Sequence, residues 1–232
     1  GVSVTLHEQK PAVYSPAHRP PGFAELVCSN SLKAMRLESA GGLLKAEMER
    51  MGSICVEAAK ACRVPAGGAL AVDRDQFSAY ITKAVEADPL IRVERRPADW
   101  LPRDGVCIVA TGPLTAGSFA QAVQEKVGER YLSFYDAAAP IVTAESVDME
   151  RAFAASRYDR GEDDYLNCPM NKEEYEAFYE ALIHAERAQL HPFDKPAVYE
   201  GCMPVEIMAK RGPDTIRYGP LKPVGLRDPR TG

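Results

Sequence analysis

What this 232-residue chain lacks narrows what it can do. Its six cysteines, at positions 28, 55, 62, 107, 168 and 202, contain no CxxC pair, and its four histidines form no HExxH array, so no metal site is expected. No apolar run approaches the ~18 residues of a membrane-spanning helix, and no leader segment is recognisable. Reduced thiols in a soluble, cytoplasmic protein are therefore expected. There is no surplus of positive charge either: the net charge is −5 and the pI about 5.5, values that announce no nucleic-acid partner. Repeats are absent as well. What is present is apolar material, 46% of the residues, enough to bury a core in one large domain or two smaller ones.

The distribution of charge says more than its total. From Ala209 to Gly232 there are six Lys or Arg against two Asp, whereas from Glu145 to Glu186 twelve acids face four bases. The acidic stretch is a poor holder of phosphates; the basic tail gives weak support for an RNA partner, since a charge run is most often a solvated face.

Periodicity predicts alternating strands and helices. Val2 to Leu6 reads as a strand ending at His7-Glu8, Leu90 to Glu94 as another, and Val106 to Ala110 as a buried one running into Thr111-Gly112. Helical patterns cover about Leu32 to Cys62, with a break at Gly41-Gly42, and Ser118 to about Gly128. A further helix begins near Asp73, where Asp73 and Gln76 fit a capping box. Asn171, with Glu174 three residues on, caps a longer helix whose Tyr175, Phe178, Tyr179, Leu182 and Ile183 form a stripe assigned to core packing. Cys55, Cys62 and Cys107 are expected in the core, and Cys168 is read as structural because Tyr165-Leu166 before it look packed.

Two cysteines stand in contexts that suggest chemistry. Phe23-Ala24-Glu25-Leu26-Val27-Cys28-Ser29-Asn30-Ser31 sets a thiol between an apolar turn and a run of helix-capping residues, with Leu32 to Leu37 reading as the next helix. A cysteine there would feel the positive end of the helix macrodipole, which favours the thiolate; the alternative is a small buried hydrophobe. Far downstream, Tyr199-Glu200-Gly201-Cys202-Met203-Pro204-Val205-Glu206 puts a second cysteine in a loop context.

Together these two segments resemble the folate- and FAD-dependent tRNA (uracil-5-)-methyltransferases. Further matching stretches occur in the same order: Ser15-Pro16-Ala17-His18, Pro65-Ala66-Gly67-Gly68-Ala69-Leu70-Ala71-Val72-Asp73-Arg74, Ala110-Thr111-Gly112-Pro113-Leu114-Thr115, Phe134-Tyr135-Asp136-Ala137-Ala138-Ala139-Pro140-Ile141-Val142, Ala155-Ser156-Arg157-Tyr158-Asp159, Asp164-Tyr165-Leu166-Asn167-Cys168-Pro169-Met170 and Met208-Ala209-Lys210-Arg211-Gly212. Gln9-Lys10-Pro11 departs mildly from the family's Met-Arg-Pro and keeps the charge. The glycine fingerprint of the nucleotide-binding unit is not found before the first strand, so the chain is expected to be an internal fragment of a longer protein, inactive by itself.

The resemblance implies an α/β fold, a partial FAD-binding Rossmann-like domain with an inserted smaller α+β domain. Residues 1–113 would be the FAD-binding part, 114–199 the insertion and 200–232 the return toward the FAD-binding domain. It also implies formation of 5-methyluridine in the tRNA T loop, with FAD as cofactor and methylenetetrahydrofolate and NAD(P)H as co-substrates. Carried over, Cys202 is the candidate nucleophile and Cys28 the second active-site thiol, with the assignment between them open. Glu8 would meet the adenosine ribose, Thr111 and Gly112 the flavin or its pyrophosphate, and Gly67 and Gly68 would bring backbone close to a ligand. Arg157, Lys210 and Arg211 are candidates for tRNA phosphates. Two other classes compete: a related flavoprotein that modifies the tRNA wobble uridine with a partner GTPase, and a non-catalytic tRNA-binding module.

Overall fold

The structure, a computed structural model, describes residues 1–15, 18–27, 29–112, 115, 117–128, 142–159, 162–186 and 203–231. The chain divides into two compact units, one of Gly1–Val64, Leu70–Ala138 and Phe193–Lys195, the other of Pro65–Ala69, Ala139–Pro192 and Pro196–Gly232.

The first unit is mixed α/β. Strand β1 (Val4–His7) pairs in parallel with β5 (Ile91–Glu94), in a register running from Val4 opposite Ile91 to His7 opposite Glu94. A second sheet has the order β2 (Ser31–Ala34), β4 (Ala69–Val72), β3 (Arg63–Val64), with β3 and β4 antiparallel. Helices α1 (Ala40–Arg50), α2 (Ile54–Ala61) and α3 (Arg74–Ala87) belong to this unit, as does α4 (Gly117–Val127). The core is Phe23, Ala58, Ala59, Cys62, Leu70, Val72, Phe77 and Ile81, drawn from α2, β4, α3 and the loop before β2. β4 reads Ala-Leu-Ala-Val without polar alternation because most of it is buried on both faces. Asp73 caps α3 as expected, its side chain accepting the Gln76 N–H at 2.9 Å.

Several expectations need correction here. Ser31 to Ala34 is a strand, not a helix start. The oxygens that could have capped a helix are engaged locally: Ser29 Oγ accepts the Ser31 N–H at 3.0 Å and Ser31 Oγ the Lys33 N–H at 3.2 Å. Asn30 then bonds β4 in both directions, Nδ2 to the Val72 carbonyl at 3.0 Å and its own carbonyl to the Val72 N–H at 3.0 Å. The next helix begins only at Ala40, so the macrodipole argument for Cys28 does not hold. The predicted break at Gly41-Gly42 falls instead after Met51, where Gly52 takes φ 73°, and Gly41 and Gly42 lie in the first turn of α1. Val106 to Ala110 is neither a strand nor buried: Val106 is 95% exposed and Ile108 85%, and no ladder partner meets them among the described residues. An apolar run becomes a buried strand only if another strand lies beside it. Of the three cysteines expected in the core, Cys62 is buried while Cys55 and Cys107 are exposed.

In the second unit, β6 (Phe153–Ala154) and β7 (Leu166–Asn167) form a short antiparallel pair, and Asn167 Nδ2 donates to the carbonyls of Ala155 at 3.0 Å and Tyr165 at 3.1 Å. Helix α5 (Lys172–His184) starts on the full capping box that Asn171 and Glu174 predict, and α6 (Val205–Ala209) and α7 (Pro213–Arg217) come after it in this unit. The aromatic stripe of α5 is only half-buried, with Phe178 exposed; Tyr175 and Tyr179 stack at 6.4 Å and donate their hydroxyls to the carbonyls of Pro213 and Ala209. Tyr165 and Leu166 are exposed, and so is Cys168, against the packing expected of them. Side-chain amides and ring hydroxyls bonding to carbonyls add to the burial of Ala152, Ala209 and Ile216 in tying this unit together.

Candidate functional site

A parallel strand delivers the residues just past its C-terminal end to the edge where α/β proteins bind ligands. Glu8 is the first residue past β1, fixed there by its N–H to the Glu94 carbonyl at 3.0 Å. Its Oε1 accepts the Lys10 N–H at 2.9 Å, which orients the carboxylate and leaves Oε2 to accept from a ligand hydroxyl. His7, at the strand end, meets Trp100 edge-on at 5.9 Å.

Lys10 is the one buried charged residue among the described residues. Its ammonium donates to the Gly22 carbonyl at 2.6 Å and to Glu25 Oε2 at 3.4 Å, while Glu25 also accepts the Arg19 N–H at 3.0 Å. Sequence reasoning missed this pair. A lysine in a Gln-Lys-Pro turn carries no signal of burial, and the only hint was an acid, Glu25, inside the otherwise apolar run before Cys28. Nearby, Ser15 Oγ and His18 Nδ1 lie 2.5 Å apart.

Thr111 and Gly112 are exposed. Gly112 takes φ 77° with open space around its Cα, a conformation in which backbone can approach a ligand, and its carbonyl accepts from Thr115 Oγ1 at 2.9 Å. In the second unit, Gly67 has φ 56°, but its N–H already donates to Asp164 Oδ2 at 2.5 Å, and Tyr165 donates its hydroxyl to the Ala66 carbonyl at 2.7 Å. The role of Asp164 as partner of the Gly67 N–H is a second contact that sequence reasoning did not find. Gly68 has nothing within 4 Å of where a Cβ would stand.

The three predicted phosphate contacts differ in their surroundings. Arg157 Nη2 donates to the Lys222 carbonyl at 3.1 Å and the Pro220 carbonyl at 3.3 Å, so it holds the chain segment after α7. Lys210 and Arg211 come directly after α6 on the exposed surface. Cys28 and Cys202 lie outside the described residues, as do Pro16, Ala17 and Pro113. Among the described residues no group of three or more His, Cys, Asp or Glu could hold a metal ion, and no helix is long and apolar enough to cross a membrane.

Residues 1–231, essentially the whole chain, match the family described as glucose inhibited division protein A. The chain belongs to this family. Similarity within it reaches proteins named methylenetetrahydrofolate–tRNA-(uracil-5-)-methyltransferase TrmFO: one from Moorella thermoacetica is 60% identical over 232 residues, one from Acetivibrio thermocellus 58% and one from Desulforamulus reducens 57%. Each of these matches covers all of this chain and 53% of the relative, so the chain spans about half the length of the curated relatives it matches. The glucose inhibited division protein A match and the parallel β1–β5 pair agree on a mixed α/β fold.

Proposed function

We propose that the whole protein is a folate- and FAD-dependent tRNA (uracil-5-)-methyltransferase that forms 5-methyluridine in the T loop of tRNA. The observation that carries this reading is the 60% identity, over the whole of this chain and 53% of the relative, with a protein named as a methylenetetrahydrofolate–tRNA-(uracil-5-)-methyltransferase. The Cys28-Ser29-Asn30-Ser31 and Gly201-Cys202-Met203-Pro204 segments favour it over the GTPase-partnered wobble-uridine enzyme.

Carbon 5 of uracil is a poor nucleophile until carbon 6 is attacked. The Cys202 thiolate would add there, the resulting enolate would take the methylene of methylenetetrahydrofolate at carbon 5, Cys28 would assist loss of the carbon 5 proton as tetrahydrofolate leaves, and elimination would free Cys202 once the exocyclic methylene has taken a hydride. FAD, when bound and reduced by NAD(P)H, would supply the reducing equivalents that turn the transferred methylene into a methyl group.

The residues at the end of β1 fit the adenosine end of FAD: Glu8 presents an oriented carboxylate with an available oxygen at the end of a parallel strand, where a ribose hydroxyl would donate. Thr111 and Gly112 would approach the flavin or its pyrophosphate, and of the Gly67-Gly68 pair it is Gly68 that has room for a ligand, since the Gly67 N–H is engaged. Residues 1–113 would form the FAD-binding part of a Rossmann-like domain, 114–199 an inserted domain and 200–232 the return. Arg157, Lys210 and Arg211 would face tRNA phosphates, Arg157 while bracing the segment after α7.

The test uses the full-length protein and tRNA lacking 5-methyluridine. Cys202→Ala is expected to abolish 5-methyluridine formation while flavin absorption bands persist. Unchanged formation would refute the nucleophile assignment, and no formation by the wild type would favour a non-catalytic tRNA-binding module.

A further inference from the structure

The single tryptophan of this chain is not in a core. Trp100 is 51% exposed and meets the His7 ring at 5.9 Å, with the two planes 76° apart. In an edge-to-face pair of this kind at least one face of the indole stays clear of its neighbour. An open indole face is a surface on which the flat face of a base can stack.

The way this ring is held ties it to Glu8. The Glu94 carbonyl at the end of β5 accepts both the Glu8 N–H and the Arg96 N–H, each at 3.0 Å. One oxygen thus fastens the residue past β1 and the turn that leads on to Trp100. The Glu94 carboxylate lies 3.6 Å from Arg96 Nε and steadies the same turn, while Pro97 and Pro102 restrict the backbone on either side of the tryptophan. Because β1 and β5 run parallel, their C-terminal ends share the edge where such sheets take ligands. His7, the last residue of β1, makes the ring contact, and Glu8, the next residue, carries the carboxylate oxygen that Lys10 leaves available. Adjacent residues therefore bring a hydroxyl acceptor and an open aromatic face to one edge.

An adenosine uses both groups: its ribose hydroxyl donates to a carboxylate and its base stacks on a ring. A carboxylate in this position disfavours a 2′-phosphate, so the adenosine is one with a free 2′-hydroxyl. We propose that Trp100 stacks on the adenine of the FAD whose ribose Glu8 takes. The proposal rests on the reading of Glu8 as the ribose acceptor of a flavoprotein. The adenosine of NADH has the same chemistry, and the experiment separates the two.

The experiment uses the full-length protein stripped of flavin and titrates wild type, Trp100→Phe and Trp100→Leu with FAD and with ADP, which carries the adenosine without the flavin. In the wild type ADP is expected to compete with FAD and to quench indole emission; the emission difference between wild type and Trp100→Phe isolates Trp100. Trp100→Leu should weaken both ligands by about tenfold or more, whereas Trp100→Phe, which keeps an aromatic face, should lose no more than about threefold while the quenching disappears. A merely structural tryptophan would lower stability and leave both affinities unchanged, so wild-type affinities in folded Trp100→Leu overturn the stacking role. If Trp100→Leu does not fold, ADP binding with the Trp100 emission unquenched overturns it instead. ADP that competes with NADH and leaves FAD bound overturns the assignment to FAD. A wild type that binds ADP with quenched emission but takes up no FAD overturns the flavoprotein reading and supports the stacking role.

Discussion

Replacing Gly42 with alanine should destabilise the first unit, although the substitution places a better helix former in a helix. Gly42 sits in the first turn of α1, where Ser39 Oγ accepts its N–H at 3.1 Å. A Cβ there would stand 1.9 Å from the Arg36 carbonyl oxygen, 2.5 Å from the Arg36 carbonyl carbon and 2.8 Å from that of Met35. These are backbone atoms just past the end of β2, so no rotamer change relieves the clash; α1 must move away from the strand or its cap must open. Helix propensity favours alanine by up to about 1 kcal/mol. Overpacking of this kind costs about 1–3 kcal/mol, and loss of the Ser39 cap about 1 kcal/mol more. The net expectation is a loss of about 1–3 kcal/mol. Gly41 is the internal control: a Cβ there meets Lys45 Nζ at 3.6 Å, Lys33 Cβ at 3.8 Å and the Ala34 carbonyl at 3.9 Å, all ordinary contacts. Gly41→Ala should therefore be neutral or stabilising by up to about 1 kcal/mol. Urea unfolding monitored by far-ultraviolet circular dichroism compares the two variants. If Gly42→Ala is as stable as Gly41→Ala, the packing of α1 against β2 is not as described and the reasoning fails.

Two other outcomes are expected. Leu70, 1% exposed at the centre of the first unit's core, should cost about 2–5 kcal/mol on truncation to alanine, measured as a lower urea midpoint with an unchanged slope; a shift in midpoint no larger than a surface variant gives would contradict its place in the core. Tyr175 titrates above its ordinary value of 10.0 because of burial and the neighbouring Asp214 carboxylate. Its contribution to stability is then fully present below pH 10 and is lost as the pH climbs through the raised value, so Tyr175→Phe should unfold with a flatter alkaline limb than the wild type; parallel limbs would show that this hydroxyl does not matter.

The elements that could be read from sequence were those whose determinants are local. The caps of α3 and α5 depend on residues three apart, and both form as the sequence indicates. β2 could not be read, because Ser29, Asn30 and Ser31 can satisfy either a helix N-terminus or a strand, and what selects the strand is Val72, 42 residues from Asn30. Val106 to Ala110 failed for the complementary reason: its composition reports a preference for burial, and nothing in those five residues reports whether a neighbouring strand exists. The position of Glu8 at a strand end was legible because it is a matter of counting. Lys10 was not, since burial of its ammonium is decided by Gly22 and Glu25, 12 and 15 residues away. Asp164 was hidden in the same way, facing Gly67 across 97 residues of chain.

The parallel pairing of β1 with β5 also sets an order of events at the ribosome. Val4 is made 87 residues before its partner Ile91. At roughly 5–20 residues per second, β1 waits about 4–17 s for the strand that fixes Glu8 in place. During that interval β3, β4 and α2 can assemble from contacts close in sequence, with α3 joining as it is made. Glu8 is thus fixed after the elements of its unit made before β5, and pulse-labelled amide exchange on arrested nascent chains should find β1 unprotected until Glu94 has left the exit tunnel.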